Sequence, residues 1–364
     1  MAATTLTRVY DSLLTLTLDN YRAKLADQIH TSVPLLYWLE KRGRNANGGG
    51  MRMDEGGTLI RVPVINQKNE NAGSYERYDQ LPLAPTEEFT TAFETWSELA
   101  TTIGISRREI RENSGASRIL SILTQKMKVA EMGLREELET QLIQGELPAV
   151  GSAFIRGNSG KDMVPLTVLI DPTPATGTIH NVNSANEAWW RNRISDRAGI
   201  AESWQTDFLP ALNQLYNDCS KGNTTDFPDM LLSDQYVFEA HEARLFSLQR
   251  YGGFDDEKSA SVGFQSLKHK GALWMWSELV PGVNPGAEDV RANITTAADS
   301  TIYLINSNWL ELVVDKESNF VNTPFEEPVN QTAIFSKILF MGQLMVTQRR
   351  KHGVMFDIDA TQWT

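Results

Sequence analysis

The chain has a single cysteine, Cys219, in 364 residues. One thiol excludes an intrachain disulfide and any multi-cysteine metal site, and it reads as a buried, inert side chain. Long apolar runs are missing as well: no stretch approaches the roughly 18 consecutive apolar residues that a membrane-spanning helix needs. Residues 1–10 also lack the basic segment and apolar core of a secretory signal. Positive charge is in deficit, 34 Lys and Arg against 46 Asp and Glu for a net charge of −12. That balance excludes a protein whose affinity rests on clustered cations neutralising phosphates. It still permits a surface that encloses DNA loosely, where repulsion keeps the polymer off the wall.

Catalytic signatures are absent too. The five histidines, His30, His180, His241, His269 and His352, show no pair at metal-ligand spacing. The segment from Arg156 to Lys161 has the look of a phosphate loop, but Ile155 stands where the first glycine belongs and Asp162 replaces the magnesium-holding hydroxyl. It reads as a loop turn. The acidic run Asp255, Asp256 and Glu257 lacks calcium-loop spacing, and no dinucleotide fingerprint occurs. Trp189, Trp190, Trp204, Trp274, Trp276 and Trp309 have no basic interleaving and read as core or seam anchors, not as a base-stacking platform. No catalytic residue, cofactor or metal ligand is expected.

What is present is organisation. Proline is absent from residues 86–147, and that run divides into an extended ribbon and a long helix. Ile119, Leu120, Leu123, Met127, Ala130, Leu134, Leu138 and Leu142 place one apolar stripe along residues 114–144. Such a helix is about 45 Å long at about 1.5 Å per residue. Residues 1–45 read as an arm, with a helical pattern at 21–26 and an apolar patch at 35–39. Residues 42–50 read as a glycine-rich hinge.

Ile60, Val62 and Val64 alternate with Leu59, Arg61 and Pro63, and Phe89, Thr91, Phe93 and Thr95 share one strand face, so 49–103 is expected to form a long hairpin. Two isolated strands are marginal in water and need a covering surface. Ser106 to Glu109 has the form of a capping box, followed by a break at 113–115. Further on, 164–170 reads as a strand, 184–196 and 204–216 as helices, and Met230 to Ser233 as a buried strand feeding a helix through Leu248. Strands are expected at 272–279, 302–306 and 309–314. The chain closes with a strand pair, 334–346 and 354–358, turning at 351–353.

This order of parts resembles the major capsid proteins of tailed bacteriophages, whose architecture is named after phage Hong Kong 97 and also builds encapsulin shells. The residues that carry the resemblance are the stretch from Ala92 to Trp96 leading to Ile105 through Gly115, and Gly177 to Asn181 leading to Asn186 through Asn192. It continues through Ser261 to Leu267, Gly271 and Ala272, Tyr303 to Asn306, Gly342 to Leu344, and Arg349, Arg350 and Gly353.

The resemblance covers about residues 50–358 and implies an α+β fold in five parts: an N-terminal arm (1–48), an extended β-hairpin loop (49–104), a peripheral domain with a spine helix (105–150), a mixed α/β axial domain (151–325), and return strands of the peripheral domain (326–364). It implies a non-enzymatic head protein that self-assembles into hexamers and pentamers of an icosahedral shell around double-stranded DNA, without sequence-specific contacts and without a membrane. The implied partners are a separate scaffolding protein, a portal protein and a decoration protein, and the implied location is the virion, assembled in the host bacterial cytoplasm. Arg61, Lys68, Tyr75, Arg77 and Tyr78 on the loop are the expected inter-subunit contacts. Some relatives crosslink a loop lysine to a neighbour's asparagine; Lys68 is placed for it, but no glutamate or acceptor can be assigned, so crosslinking is not expected. An encapsulin-like compartment is the same-fold alternative, and a soluble hydrolase with a carboxylate pair the alternative from another class.

Overall fold

A computed structural model describes residues 33–42, 50–69, 71–80, 87–112, 122–145, 156–198, 203–222, 226–248, 267–281, 300–328 and 331–359. The expected helix at 21–26, most of the hinge, the break at 113–115, the acidic run at 255–257 and most of the 261–267 motif lie outside them. The chain divides into two units. One includes Thr101–Gly133 and Asn322–Ile338, the other Ser32–Ala100, Leu134–Val321 and Leu339–Thr364.

In the first unit the end of strand β4 (Ser97–Ser106) runs into helix α2 (Arg107–Glu112). The capping box forms as expected: the Glu109 amide donates to Ser106 Oγ at 3.2 Å, and the Ser106 amide donates to Glu109 Oε2 at 3.1 Å. Lys126, on helix α3 (Ile122–Ile143), reaches the same Glu109 carboxylate at 3.0 Å. Gly104 admits the Phe335 ring, which a Cβ would meet at 2.8 Å. The described part of α3 is about 33 Å long at about 1.5 Å per residue; its expected start at Ser114 lies outside the described residues.

The second unit holds a six-stranded mixed sheet in the order β7 (Arg193–Asp196), β15 (Gly353–Ile358), β11 (Ser300–Ile305), β8 (Met230–Ser233), β10 (Ala272–Trp276), β9 (Leu267–His269). Every residue of β8 and β11 is buried, as central strands covered on both faces require. Strands β8 and β10 run parallel, joined through helix α5 (Gln235–Leu248). Helix α4 (Leu209–Ser220) continues from a π-helical turn at Trp204–Phe208. Trp204, Phe208, Leu212, Leu215, Phe238, Trp274 and Leu304 form the core between helices and sheet. The Trp204 indole N–H donates to His241 Nδ1 at 3.1 Å, so both an aromatic and a histidine from the sequence are spent on this core.

A second sheet orders β1 (Gly50–Asp54), β12 (Leu310–Asp315), β14 (Ala333–Val346) and β13 (Val321–Asn322), with β4 also paired to β14. Gly342 lies opposite Val314, and a Cβ there would meet the Val313 carbonyl at 2.9 Å.

Helix α1 (Pro34–Arg42) carries the apolar patch expected to need a partner; Leu35, Leu36, Trp38 and Leu39 are buried. Its first turn has a complete hydrogen-bond account. Pro34 has no N–H to satisfy, the Leu35 and Leu36 amides each donate to Glu139 at 2.8 Å, and the Tyr37 amide reaches Val33 O at 3.1 Å. Glu139 is fully buried on α3, and burial pushes its carboxyl up to about 7 against the pull of the two amides.

Three expectations are corrected. Residues 164–170 are not a strand: Pro165, extended at φ −77° and ψ 160°, starts a single helical turn at Leu166–Leu169 with Leu166, Thr167 and Leu169 buried. A short apolar run carries no period that separates the two outcomes. Residues 184–196 are not a helix but a turn at 184–186, a 3₁₀ turn at Ala188–Trp190, and strand β7. Their polar groups are engaged elsewhere: the Arg349 guanidinium donates to Leu169 O (2.8 Å), Ser184 Oγ (2.9 Å), Trp190 O (3.1 Å) and Asn192 Oδ1 (3.0 Å). Finally, β14 and β15 do not pair with each other. A 3₁₀ turn at Arg349–Lys351, with Arg349 and Lys351 buried, carries the chain from one sheet to the other.

Candidate functional site

Of the hairpin expected over 49–103, only β2 (Ile60–Ile65) and β3 (Phe89–Glu94) among the described residues pair as a ribbon, antiparallel from Ile60↔Glu94 to Ile65↔Phe89, while β1 and β4 pair in the second sheet. Alternation divides its residues cleanly. One face, with Ile60, Val62, Val64 and Ala92, packs on its own unit: Ile60 and Val62 against Val313 and Met345, Ala92 against Val182 and Trp190. The covering surface that a two-stranded ribbon needs is thus supplied in part by the same chain. The other face carries Arg61, Pro63, Ile65, Phe89, Thr91 and Phe93, and here Ile65 is 68% and Phe89 71% exposed.

The root of the ribbon is braced by polar contacts. Arg156 donates to Glu94 Oε1 (3.2 Å), Thr95 Oγ1 (2.9 Å) and Ser97 Oγ (2.6 Å), and through Nε to the Asp162 carbonyl. The phosphate-loop look-alike is therefore a buttress, with Asn158 and Ser159 in left-handed conformations at φ 50° and 57°. Gln343 adds a bridge, donating to Thr95 O at 3.0 Å while its Oε1 accepts the Val164 amide at 2.9 Å. A cleft of about 570 Å³ opens beside the far end of the ribbon, between Pro63, Ile65 and Lys68 on one side and Trp189, Trp309 and Arg350 on the other.

Of the five expected contact residues, Arg61 lies on the exposed face of β2 opposite Phe93, and Lys68, Tyr75, Arg77 and Tyr78 lie on the exposed segment beyond it. Tyr75 is 73% and Tyr78 96% exposed. Lys68 borders the cleft; the other four do not line it. Ile65 and Phe89 share the exposure of this group, and the sequence reading did not single them out. The available signal was Ile65 itself, an apolar residue out of phase with Ile60, Val62 and Val64.

A carboxylate and an imidazole meet at the root, Glu94 Oε2 lying 3.4 Å from His180 Nδ1. The other ring nitrogen, Nε2, accepts the Val346 amide at 3.2 Å, and the ring is fully buried. With both ring nitrogens engaged and the ring buried, His180 holds structure together and offers no base to a substrate. Among the described residues no group of three or more His, Cys, Asp and Glu is placed to hold a metal ion, and no helix is long and apolar enough to cross a membrane. What the surface can do is present apolar and aromatic side chains on a braced projection.

No protein-family model and no curated protein matches the chain. Solved structures do resemble it along its length. The capsid asymmetric unit of cyanophage A-1(L) matches with a TM-score of 0.63 at 15% identity, covering 95% of this chain and 98% of that one. The capsid of a native GTA particle matches at 0.57 and 11% identity, covering 94% and 95%. An encapsulin complex from Synechococcus elongatus matches at 0.56 and 9% identity, covering 97% of each chain. The chain has the α+β fold common to phage capsid proteins and an encapsulin.

Proposed function

We propose that this chain is the major capsid protein of a tailed double-stranded DNA bacteriophage, forming hexamers and pentamers of an icosahedral shell. The observation that carries the reading is the likeness over nearly the whole of both chains to capsid subunits, 95% and 98% in the case of cyanophage A-1(L). The ribbon supports it. Apolar side chains as exposed as Ile65 and Phe89, on a projection whose other face is already covered, suit a surface that neighbouring copies bury.

In this reading the segments 1–48, 49–104, 105–150, 151–325 and 326–364 are arm, extended loop, spine-bearing peripheral domain, axial domain and return strands. Arg61, Lys68, Tyr75, Arg77 and Tyr78 contact a neighbour. A scaffolding protein, a portal and a decoration protein are its partners, and DNA is enclosed without sequence readout, in keeping with the net charge of −12. The protein acts as a structural component of the virion, assembled in the host cytoplasm, and not as an enzyme.

The test is negative-stain microscopy of the purified protein, alone and co-expressed with a scaffolding protein. Closed particles, rings or sheets are expected, and a strict monomer under every condition overturns the reading. The encapsulin likeness supports a second reading, a compartment that holds protein. The contents of purified particles, nucleic acid or an enzyme, separate the two.

A further inference from the structure

His180 occupies a demanding position. It is the first turn residue of the two-residue hairpin joining β5 (Thr178–Ile179) and β6 (Val182–Asn183), and with Asn181 it adopts left-handed backbone at φ 49° and 64°. Asn and, less readily, His tolerate this conformation. The strain is held by contacts on three sides. The His180 carbonyl accepts the Phe93 amide of the ribbon at 3.1 Å, the ring Nδ1 faces Glu94 of the ribbon at 3.4 Å, and Nε2 faces the Val346 amide at the end of β14 at 3.2 Å.

The geometry permits one protonation state. A backbone N–H can only donate, so Nε2 must be an unprotonated acceptor and the ring proton sits on Nδ1, directed at Glu94. A second proton has one place to go, and there it would oppose the Val346 N–H inside a fully buried site. The charged groups around the ring are Glu94 from the ribbon, with Arg156 behind it, and Arg349 from the turn after β14. Burial holds the imidazole below its usual value and Arg349 adds to this, outweighing the attraction of Glu94.

We propose that His180 is an acid-sensitive clasp, whose protonation unfastens the β2–β3 ribbon from the end of β14 while the six-stranded sheet stays folded. The sign follows from linkage: a histidine depressed on folding stabilises the closed clasp above about pH 6.5, and that contribution is lost progressively as pH falls below it. The clasp is a property of one subunit and does not depend on the shell reading. If that reading holds, the clasp makes the orientation of the contact surface respond to protons.

Hydrogen–deuterium exchange on the full-length protein, corrected for intrinsic rates, tests it at pH 7.5 and 5.5. Amides of 60–65 and 89–94 are expected to lose protection by about tenfold per pH unit below 6.5, while those of β8 and β11 keep theirs. In His180→Gln, whose amide oxygen can accept from Val346 but does not titrate, ribbon protection should be independent of pH over this range. Equal wild-type protection at both pH values, or a loss that persists in the variant, overturns the proposal. Should the variant not fold, nitrogen NMR of histidine-labelled wild type decides: an Nδ1–H tautomer at pH 7.5 that titrates together with ribbon protection supports the clasp, and an Nε2–H tautomer or uncoupled titration refutes it.

Discussion

Ile65 and Phe89 are direct cross-strand partners in the ribbon, and both point away from the face that packs on the rest of their unit. Paired apolar residues at the far end of a two-stranded ribbon contribute little to a fold that already covers the opposite face. Ile65→Asp and Phe89→Asp should therefore change stability by no more than about 0.5 kcal/mol, the usual range for exposed positions. Circular dichroism melting would show this. The same variants should fail to form particles in the microscope, and normal particles from both would remove the ribbon's outer face from the contact surface.

Glu139 gives a stability prediction of a different kind. Glu139→Ala leaves the Leu35 and Leu36 amides buried without acceptors, at about 1–3 kcal/mol for each unsatisfied group, so chemical denaturation should report a loss of about 2–6 kcal/mol. The wild-type pH dependence has a defined sign. A carboxyl raised to about 7 on folding contributes stability that is full below its ordinary value of 4.5 and lost as pH rises through 7. Glu139→Gln should flatten that slope, and an unchanged slope would contradict the assignment.

Gly353 opens β15 beneath α4, where a Cβ would meet Cys219 Sγ at 2.8 Å and Leu215 Cδ1 at 3.2 Å. Gly353→Ala should cost about 1–3 kcal/mol by overpacking. Adding Cys219→Ala removes the nearer clash and should recover part of the loss, which a double-mutant cycle would measure.

Cys219 is buried, and burial pushes its thiol up to about 12. Native protein should not react with a thiol reagent at neutral pH, whereas protein in denaturant should react at one equivalent. Fast native labelling would mean that α4 opens readily.

Local pattern made much of this fold legible. The alternation of Ile60, Val62 and Val64, the Ser106 to Glu109 capping box and the apolar block at Met230 each carry their signal within a few residues, and each element stands where expected. Long-range partners defeated the same reasoning. The amides of Leu35 and Leu36 find an acceptor 104 and 103 residues away, and nothing local marks Glu139 as different from the other carboxylates of α3. Residues 184–196 have a helical look, yet Ser184, Trp190 and Asn192 hold acceptors that Arg349 requires from more than 150 residues on. The exposure of the segment around Lys68, Tyr75, Arg77 and Tyr78 was legible, but the bracing of the ribbon by Arg156 and His180 was not, because backbone conformation and three-way contacts leave no periodic trace.

The guanidinium at the crossing from β14 to β15 directs its hydrogen bonds to two carbonyls, a hydroxyl and an amide oxygen. Carboxylates that gain protons in acid abandon their cations, but neutral oxygens have no charge to surrender, and Arg349 keeps its own proton up to about pH 10. The turn from β14 to β15 is therefore riveted to residues 169–192 by bonds that acid does not undo, and this fastening lies beside the ribbon.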